Sequence, residues 1–128
     1  MAKLADIVFD CAHPAALARF WAAVLDQYAV APYDQGELDR LGSLGFDDPD
    51  HDPVVLVEPL VSGPRFWFQQ VPEPKMTKNR VHIDLSSRNP DAEVARLVGL
   101  GATVLEEQPD DSVFVMRDPE GNEFCILR

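Results

Sequence analysis

Side chains that could carry chemistry occur in pairs two residues apart in this 128-residue sequence, a spacing that places both on one face of a β-strand. His82 and Asp84 form one such pair, and Glu123 and Cys125 form another. A histidine whose imidazole is oriented by a carboxylate can act as a general base. His82 and Asp84 are therefore the candidate catalytic residues, with the histidine as the base. The alternative is an imidazole that is hydrogen-bonded to its neighbour for structural reasons alone.

The pairs belong to strands with one apolar and one polar face. Period-two alternation turns Ile7 and Phe9 toward a helix in the first half of the chain, and Val81 and Ile83 in the second half. Burying unpartnered carboxylates or imidazoles in a dry core costs several kcal/mol, so a hydrated cleft is the simplest explanation for the polar faces. The candidate ligand-binding residues of that cleft are Asp6, Trp67, Gln69, His82, Glu123 and Cys125.

The strands that carry these residues lie in two copies of one pattern. DIVFDCAHPAALARFW at the start of the chain has a counterpart in HIDLSSRNPDAEVARL, which places Asp6 with His82 and Pro14 with Pro90 (82 − 6 = 90 − 14 = 76). Each copy runs from a strand through a polar turn and a proline into a helix. The duplication predicts two half-sheets whose equivalent inward positions form the walls of one cleft.

The remaining elements follow from periodicity and from turn residues. Residues 42–46 form another short strand or an irregular turn, and Gly101 is expected to end the second helix. We expect one domain over residues 1–128, with a first module at about 1–72 and a second at about 80–128. The predicted helices lie at about 14–25 and 90–99, and the strands at about 4–9, 28–33, 54–57, 65–71, 80–85, 102–107, 112–117 and 123–127.

The strand RVHIDLSS, the helix DAEVARLVGLGATV and the closing DPEGNEFCIL resemble the vicinal oxygen chelate superfamily, which includes glyoxalase I, extradiol dioxygenases and bleomycin resistance proteins. KNRVHIDL and DPEGNEFC are most similar to its glyoxalase-like branch. The resemblance implies an α+β fold of two tandem βαβββ modules, forming a cup-shaped mixed sheet with helices on the convex side. It also implies a homodimer, in which a second copy protects the exposed sheet edges.

The same resemblance implies where a metal would bind in this chain. The family's ligands come from the first, fourth, fifth and eighth strands, which here carry Asp6, Trp67 (or Gln69 in a shifted register), His82 and Cys125. An indole cannot ligate a metal, and a soft thiol replaces the customary carboxylate. We therefore expect no catalytic metal and no other cofactor.

Charge and composition restrict the partners. A net charge of −11 argues against nucleic acid, because no extended basic face is available to neutralise phosphates. Lys75, Lys78 and Arg80 form one local basic cluster, which is either a lip that holds an anionic small molecule or a surface loop paired with carboxylates. The absence of a signal-peptide pattern, of a membrane-length apolar run and of a cysteine framework predicts a cytoplasmic protein without membrane contact.

These observations favour a cleft that binds a small aromatic or anionic metabolite or drug without a catalytic metal. The alternatives are a divergent metal-dependent lyase, isomerase or dioxygenase of the same superfamily and a structural domain with a vestigial cleft. An open cleft separates binding from a structural role, and convergence of Asp6, His82 and a third donor separates metal chemistry from binding.

Overall fold

The computed structural model describes residues 1–128 and divides them into two units, Met1–Pro74 and Lys75–Arg128. Both units contain the predicted βαβββ order, the first with an additional helix and a 3₁₀ turn, so the predicted α+β class with two tandem modules is confirmed. The first unit contains β1 (Asp6–Cys11), α1 (Pro14–Val24), β2 (Tyr28–Val30), α2 (Gln35–Ser43), a 3₁₀ turn (Pro49–His51), β3 (Val54–Pro59) and β4 (Arg65–Gln70). The second contains β5 (Ile83–Leu85), α3 (Pro90–Leu100), β6 (Thr103–Val104), β7 (Val113–Arg117) and β8 (Glu123–Leu127).

Each unit builds a four-stranded mixed sheet with the same topology. The strand order is β1-β4-β3-β2 in the first and β5-β8-β7-β6 in the second, and only β1–β4 and β5–β8 are parallel pairs. Val8 lies opposite Trp67 in one register, and Asp84 lies opposite Cys125 in the other. These positions are related by the sequence offsets (84 − 8 = 76 and 125 − 67 = 58), so the sequence duplication is also a structural one.

Helix α1 packs against the predicted apolar face of the first sheet, and the two together form the core of the first unit. Pro14 occupies the first turn, where its missing N–H removes no helical hydrogen bond. Leu17 and Trp21 are each 1% exposed, and the Trp21 ring stacks on Phe9 with 5.4 Å between centroids. Phe9 also stacks on Phe68 at 5.1 Å. This aromatic layer confirms that Phe9 points toward the helix, which leaves the alternate residues of β1 and β4 on the opposite face.

Helix α3 and the last turn follow the sequence signals closely. The Asn89 side chain accepts a hydrogen bond from the backbone N–H of Ala92, and Gly101 ends the helix with φ of 115°. In the closing turn, the buried Asp118 carboxylate accepts the backbone N–H groups of Glu120 and Asn122. The DPEGN string is therefore a turn held together by its own aspartate.

The structure corrects the prediction for residues 28–46. The strand predicted at 28–33 ends at Val30. Of the two alternatives for 42–46, the strand is wrong, because α2 extends to Ser43 and a turn follows it. Helix α2 begins because the Asp34 side chain accepts the backbone N–H of Glu37 at 2.9 Å. An aspartate followed three residues later by glutamate is a common helix start, and this signal could have identified the helix.

Several strand ends also differ from their predicted bounds. The first strand forms at Asp6–Cys11 and not at 4–9, and β5 lacks residues 80–82, so Val81 is 81% exposed and does not face the helix. The segment before β5 is held by a side chain and not by strand pairing: the Asn79 backbone N–H donates to the Glu123 carboxylate at 3.0 Å. No helix of the chain is long and apolar enough to cross a membrane.

The strand predicted at 102–107 is reduced to Thr103–Val104 by a similar contact. The Gln108 side chain accepts from the backbone N–H of Val115 at 2.7 Å and donates to its carbonyl oxygen at 3.0 Å. The Val115 carbonyl still accepts the Leu105 backbone N–H at 3.1 Å, but the Gln108 side chain takes the Val115 N–H that a longer strand would have paired with a backbone carbonyl.

Candidate functional site

A cavity of about 330 Å³ lies on the face of the first sheet that is opposite α1. Its floor is formed by apolar side chains of β3 and β4, and its wall by the chain between β2 and β3. The floor consists of Val54, Leu56 and Trp67, and the wall of Ala31, Pro32, Tyr33, Glu37, Arg40 and Asp52.

Strand alternation places Trp67 in the floor. Its neighbours Phe66 and Phe68 are buried on the α1 side, so the indole must project to the opposite face. Trp67 lies between Val8 of β1 and Leu56 of β3 in the register of the sheet. A half-buried indole provides a stacking surface for a flat ligand.

The wall of the cavity is organised by one buried carboxylate. Asp52 is 1% exposed and accepts three hydrogen bonds, from the Tyr33 hydroxyl at 2.7 Å, the Arg40 guanidinium at 2.6 Å and the Val54 backbone N–H at 3.0 Å. Arg40 also donates to Glu37 at 2.6 Å. These contacts join α2 to the loop before β3, which fixes the wall over the floor.

The electrostatics of this wall favour a ligand without negative charge. One guanidinium stands between two carboxylates, so the ionised cluster of Glu37, Arg40 and Asp52 carries a net charge of −1. Hydrogen bonds to Asp52 and Glu37 raise the pKa of Arg40 and keep it charged. Burial and the hydrogen bond to Asp52 raise the pKa of Tyr33, so its hydroxyl stays neutral at pH 7.

Alkaline titration tests this arrangement. We expect Tyr33 to ionise well above the ordinary tyrosine value of 10.0, because a phenolate would face the Asp52 carboxylate. Since the folded-state pKa is raised, the stabilisation is complete below pH 10 and is lost as the pH rises toward the folded-state value. Near-ultraviolet phenolate absorbance of the native protein and of Tyr33→Phe resolves the contribution of Tyr33. A titration of Tyr33 at its ordinary value would contradict the hydrogen bond.

The other predicted residues of the first unit, Asp6 and Gln69, do not line the cavity, and each is paired with a side chain of the neighbouring strand. Arg65 binds both carboxylate oxygens of Asp6, at 2.7 and 3.0 Å, and this contact lowers the pKa of Asp6. The same guanidinium lies 5.7 Å from the centre of the Trp67 ring. Gln69 donates to Asp10 at 2.9 Å. The ligand-binding role predicted for Asp6 and Gln69 stays a prediction.

In the second unit the predicted catalytic pair is within contact distance. His82 Nε2 lies 3.1 Å from Asp84 Oδ1, which is the contact that an imidazole needs from an orienting carboxylate. The Cys125 thiol lies beside them, and all three donor atoms are within 4.8 Å of one another. Burial, together with Asp84, raises the pKa of Cys125, so the thiol is a poor nucleophile. The proposed base role of His82 stays a prediction.

Glu123, predicted to bind ligand, lines a second cavity and also binds the chain that precedes β5. Its predicted role in ligand binding stays a prediction. Its carboxylate lies 3.1 Å from Lys75 Nζ and accepts the Asn79 backbone N–H. Although burial acts to raise the pKa of Glu123, these contacts lower it overall. The pairing of Lys75 is the one expected for a surface loop. Lys75 and Lys78 also line this second cavity, of about 390 Å³, whereas Arg80 does not.

The residues at the family's metal positions do not fit a hard, hydrated cation. Trp67 has no ligand atom, Asp6 is bound on both oxygens by Arg65, and the Cys125 thiol is a soft donor. We therefore derive no function through a hard metal ion at these positions.

The sequence analysis did not identify the polar residues of the cavity wall, which are Tyr33, Glu37, Arg40 and Asp52. Residues 27–53 have only a weak periodic pattern. The one signal in that segment that could have been used is Asp34 followed by Glu37, which marks the start of α2.

The fold and the site define a small α+β protein of duplicated βαβββ units, and comparison with known proteins agrees. The family model of the glyoxalase-like domain matches residues 6–127. No curated protein matches the chain. A solved structure described as a possible glyoxalase from Bacillus cereus is 11% identical, covers 100% of both chains and has a TM-score of 0.66.

Two further solved structures have similar folds. A glyoxalase/bleomycin resistance protein/dioxygenase family enzyme from Burkholderia phytofirmans PsJN is 16% identical, with 98% of this chain and 97% of that chain covered and a TM-score of 0.64. The fosfomycin resistance protein FosX from Mesorhizobium loti is 14% identical, with 99% and 91% covered and a TM-score of 0.62. The chain belongs to the glyoxalase-like domain family, and the predicted resemblance is confirmed.

Proposed function

We propose that this glyoxalase-like protein binds a small planar aromatic molecule, neutral or cationic, in the cavity over Trp67, and that binding requires no metal. The observation that carries the proposal is the cavity itself, with an indole floor and a polar wall held by Asp52. Its volume of about 330 Å³ falls at the lower end of the range for small-molecule sites, roughly 300–1,000 Å³.

The composition of the cavity supports the aromatic class over an anionic one. Ligand pockets combine apolar and aromatic surface with a few polar groups that fix orientation. Trp67 supplies the stacking surface, and the acceptor atoms of Glu37 and Tyr33 stand at the wall. Because the wall carries a net charge of −1 in a chain of net charge −11, an anion would be repelled at this cavity.

A thermal-shift screen tests the proposal. The panel consists of planar heteroaromatic compounds of matched size in neutral, cationic and anionic forms. Neutral or cationic members are expected to raise Tm, since a ligand at 100 times its Kd stabilises by about 2.7 kcal/mol. Trp67→Ala should weaken binding of each hit about 10-fold or more, because the stacking surface is removed.

The matched control is Val8→Ala, on the neighbouring strand. Val8 lies opposite Trp67 in register, is 51% exposed and does not line the cavity, so its loss should leave affinity unchanged. Equal weakening by Val8→Ala, or hits that are confined to anions, would contradict the proposed site.

The expected homodimer is part of the same proposal, and light scattering of the purified protein tests it.

A further inference from the structure

The second unit contains three different metal-ligating groups at one point. His82, Asp84 and Cys125 each offer one ligand atom, and these atoms lie within 4.8 Å of one another. We call this set the second-unit triad. None of its members lines the cavity over Trp67. A site here would therefore be separate from the proposed function and does not rest on it.

The pairing of the neighbouring strands β5 and β8 brings these side chains together. Asp84 lies in β5 opposite Cys125 in the parallel β5–β8 register, and His82 is the residue that directly precedes β5. The His82 Nε2 to Asp84 Oδ1 separation is 3.1 Å. Two ligands at zinc-bond lengths in a tetrahedral site are roughly 3.4 Å apart, so this pair already has nearly the required spacing.

The donor set selects the kind of cation. Imidazole, thiolate and carboxylate are the three kinds of side chain that bind zinc in proteins. A tetrahedral zinc ion with three protein ligands keeps its fourth coordination position open. A thiolate disfavours hard cations such as Mg²⁺ and Mn²⁺, which prefer oxygen ligands. The half-exposed side chains of His82 and Asp84 give an ion access from solvent.

We propose that the second-unit triad binds one thiophilic divalent cation of the zinc class. The site differs from the four-strand arrangement implied by family resemblance, since it lies within one unit and uses Asp84 in addition to His82 and Cys125. When the ion binds, the thiol proton passes to solvent and the thiolate bonds to the metal.

Cobalt is the probe for this site, because a thiolate bound to Co²⁺ gives a ligand-to-metal absorption band that free Co²⁺ lacks. Protein that has been freed of metal with a chelator is titrated with Co²⁺ alone. We expect saturation at one ion per chain, displacement of the band by Zn²⁺ and no displacement by a large excess of Mg²⁺. Cys125→Ala should abolish the band.

The matched control is Cys11→Ala, because Cys11 is the other buried cysteine and lies in the first unit. This variant should keep the band. His82→Gln and Asp84→Asn remove ligands at half-exposed positions, and each should weaken Co²⁺ binding by more than the roughly 10–100-fold that loss of an outer-shell partner causes. These two variants decide the matter if Cys125→Ala does not fold. Three results would overturn the proposal: no band in the native protein, a band that survives in Cys125→Ala, or undiminished Co²⁺ affinity in His82→Gln and Asp84→Asn.

Discussion

Replacing Asp52 with alanine is expected to lower the free energy of unfolding by about 2–4 kcal/mol. The carboxylate is almost fully buried and accepts hydrogen bonds from Tyr33, Arg40 and the Val54 backbone. Its removal leaves a partly buried guanidinium and a phenol without their acceptor. Urea denaturation, with the midpoint and slope compared between variants, measures the effect.

The matched control for this substitution is Asp50→Ala, which changes the net charge by the same amount two residues away. Asp50 is exposed, and its ion pair with Arg19 is a surface contact that is worth about 0–1 kcal/mol. Similar losses in the two variants would show that Asp52 does not organise the cavity wall. Asp52→Ala should also weaken binding of any hit from the ligand screen, since the wall then loses its fixed geometry.

Leu17→Ala is expected to destabilise the protein by about 2–4 kcal/mol. Leu17 is 1% exposed on the face of α1 that packs against the first sheet. Truncation removes apolar contacts and leaves a cavity that the aromatic layer around Phe9 and Trp21 cannot readily fill. The same urea experiment measures the loss.

Leu38→Ala provides the comparison, because Leu38 is a helical leucine that is 41% exposed. Surface substitutions of this kind usually change stability by less than about 0.5 kcal/mol. A near-neutral result for Leu17→Ala would mean that the buried face of α1 is wrongly assigned, whatever the outcome for Leu38.

The parts of the fold that the sequence predicts well are those set by local rules. Pro14 and Pro90 mark the helix starts, and Gly101 ends α3 at a positive φ. Alternation correctly places Phe9 on the helix side, where it stacks on Trp21. These features depend on residues close in sequence.

The parts that were missed depend on contacts between distant residues. Asp52 is joined to Arg40 and Tyr33 across 12 and 19 positions, and no local pattern encodes that network. The short β6 arises because the Gln108 amide binds the backbone of Val115, which hydrophobic periodicity does not register. The pairing of Asp6 with Arg65 also joins residues 59 positions apart.

The most direct test of the aromatic-binding cavity is a nitrogen-proton correlation NMR titration with a hit from the ligand screen. The chain has two tryptophans, Trp21 in the core and Trp67 in the cavity floor, and hence two indole N–H signals, which Trp21→Phe assigns. A saturable shift of the Trp67 signal, with the Trp21 signal unchanged, is the predicted result. Binding that leaves the Trp67 signal in place would contradict the account, because the ligand would then occupy another site.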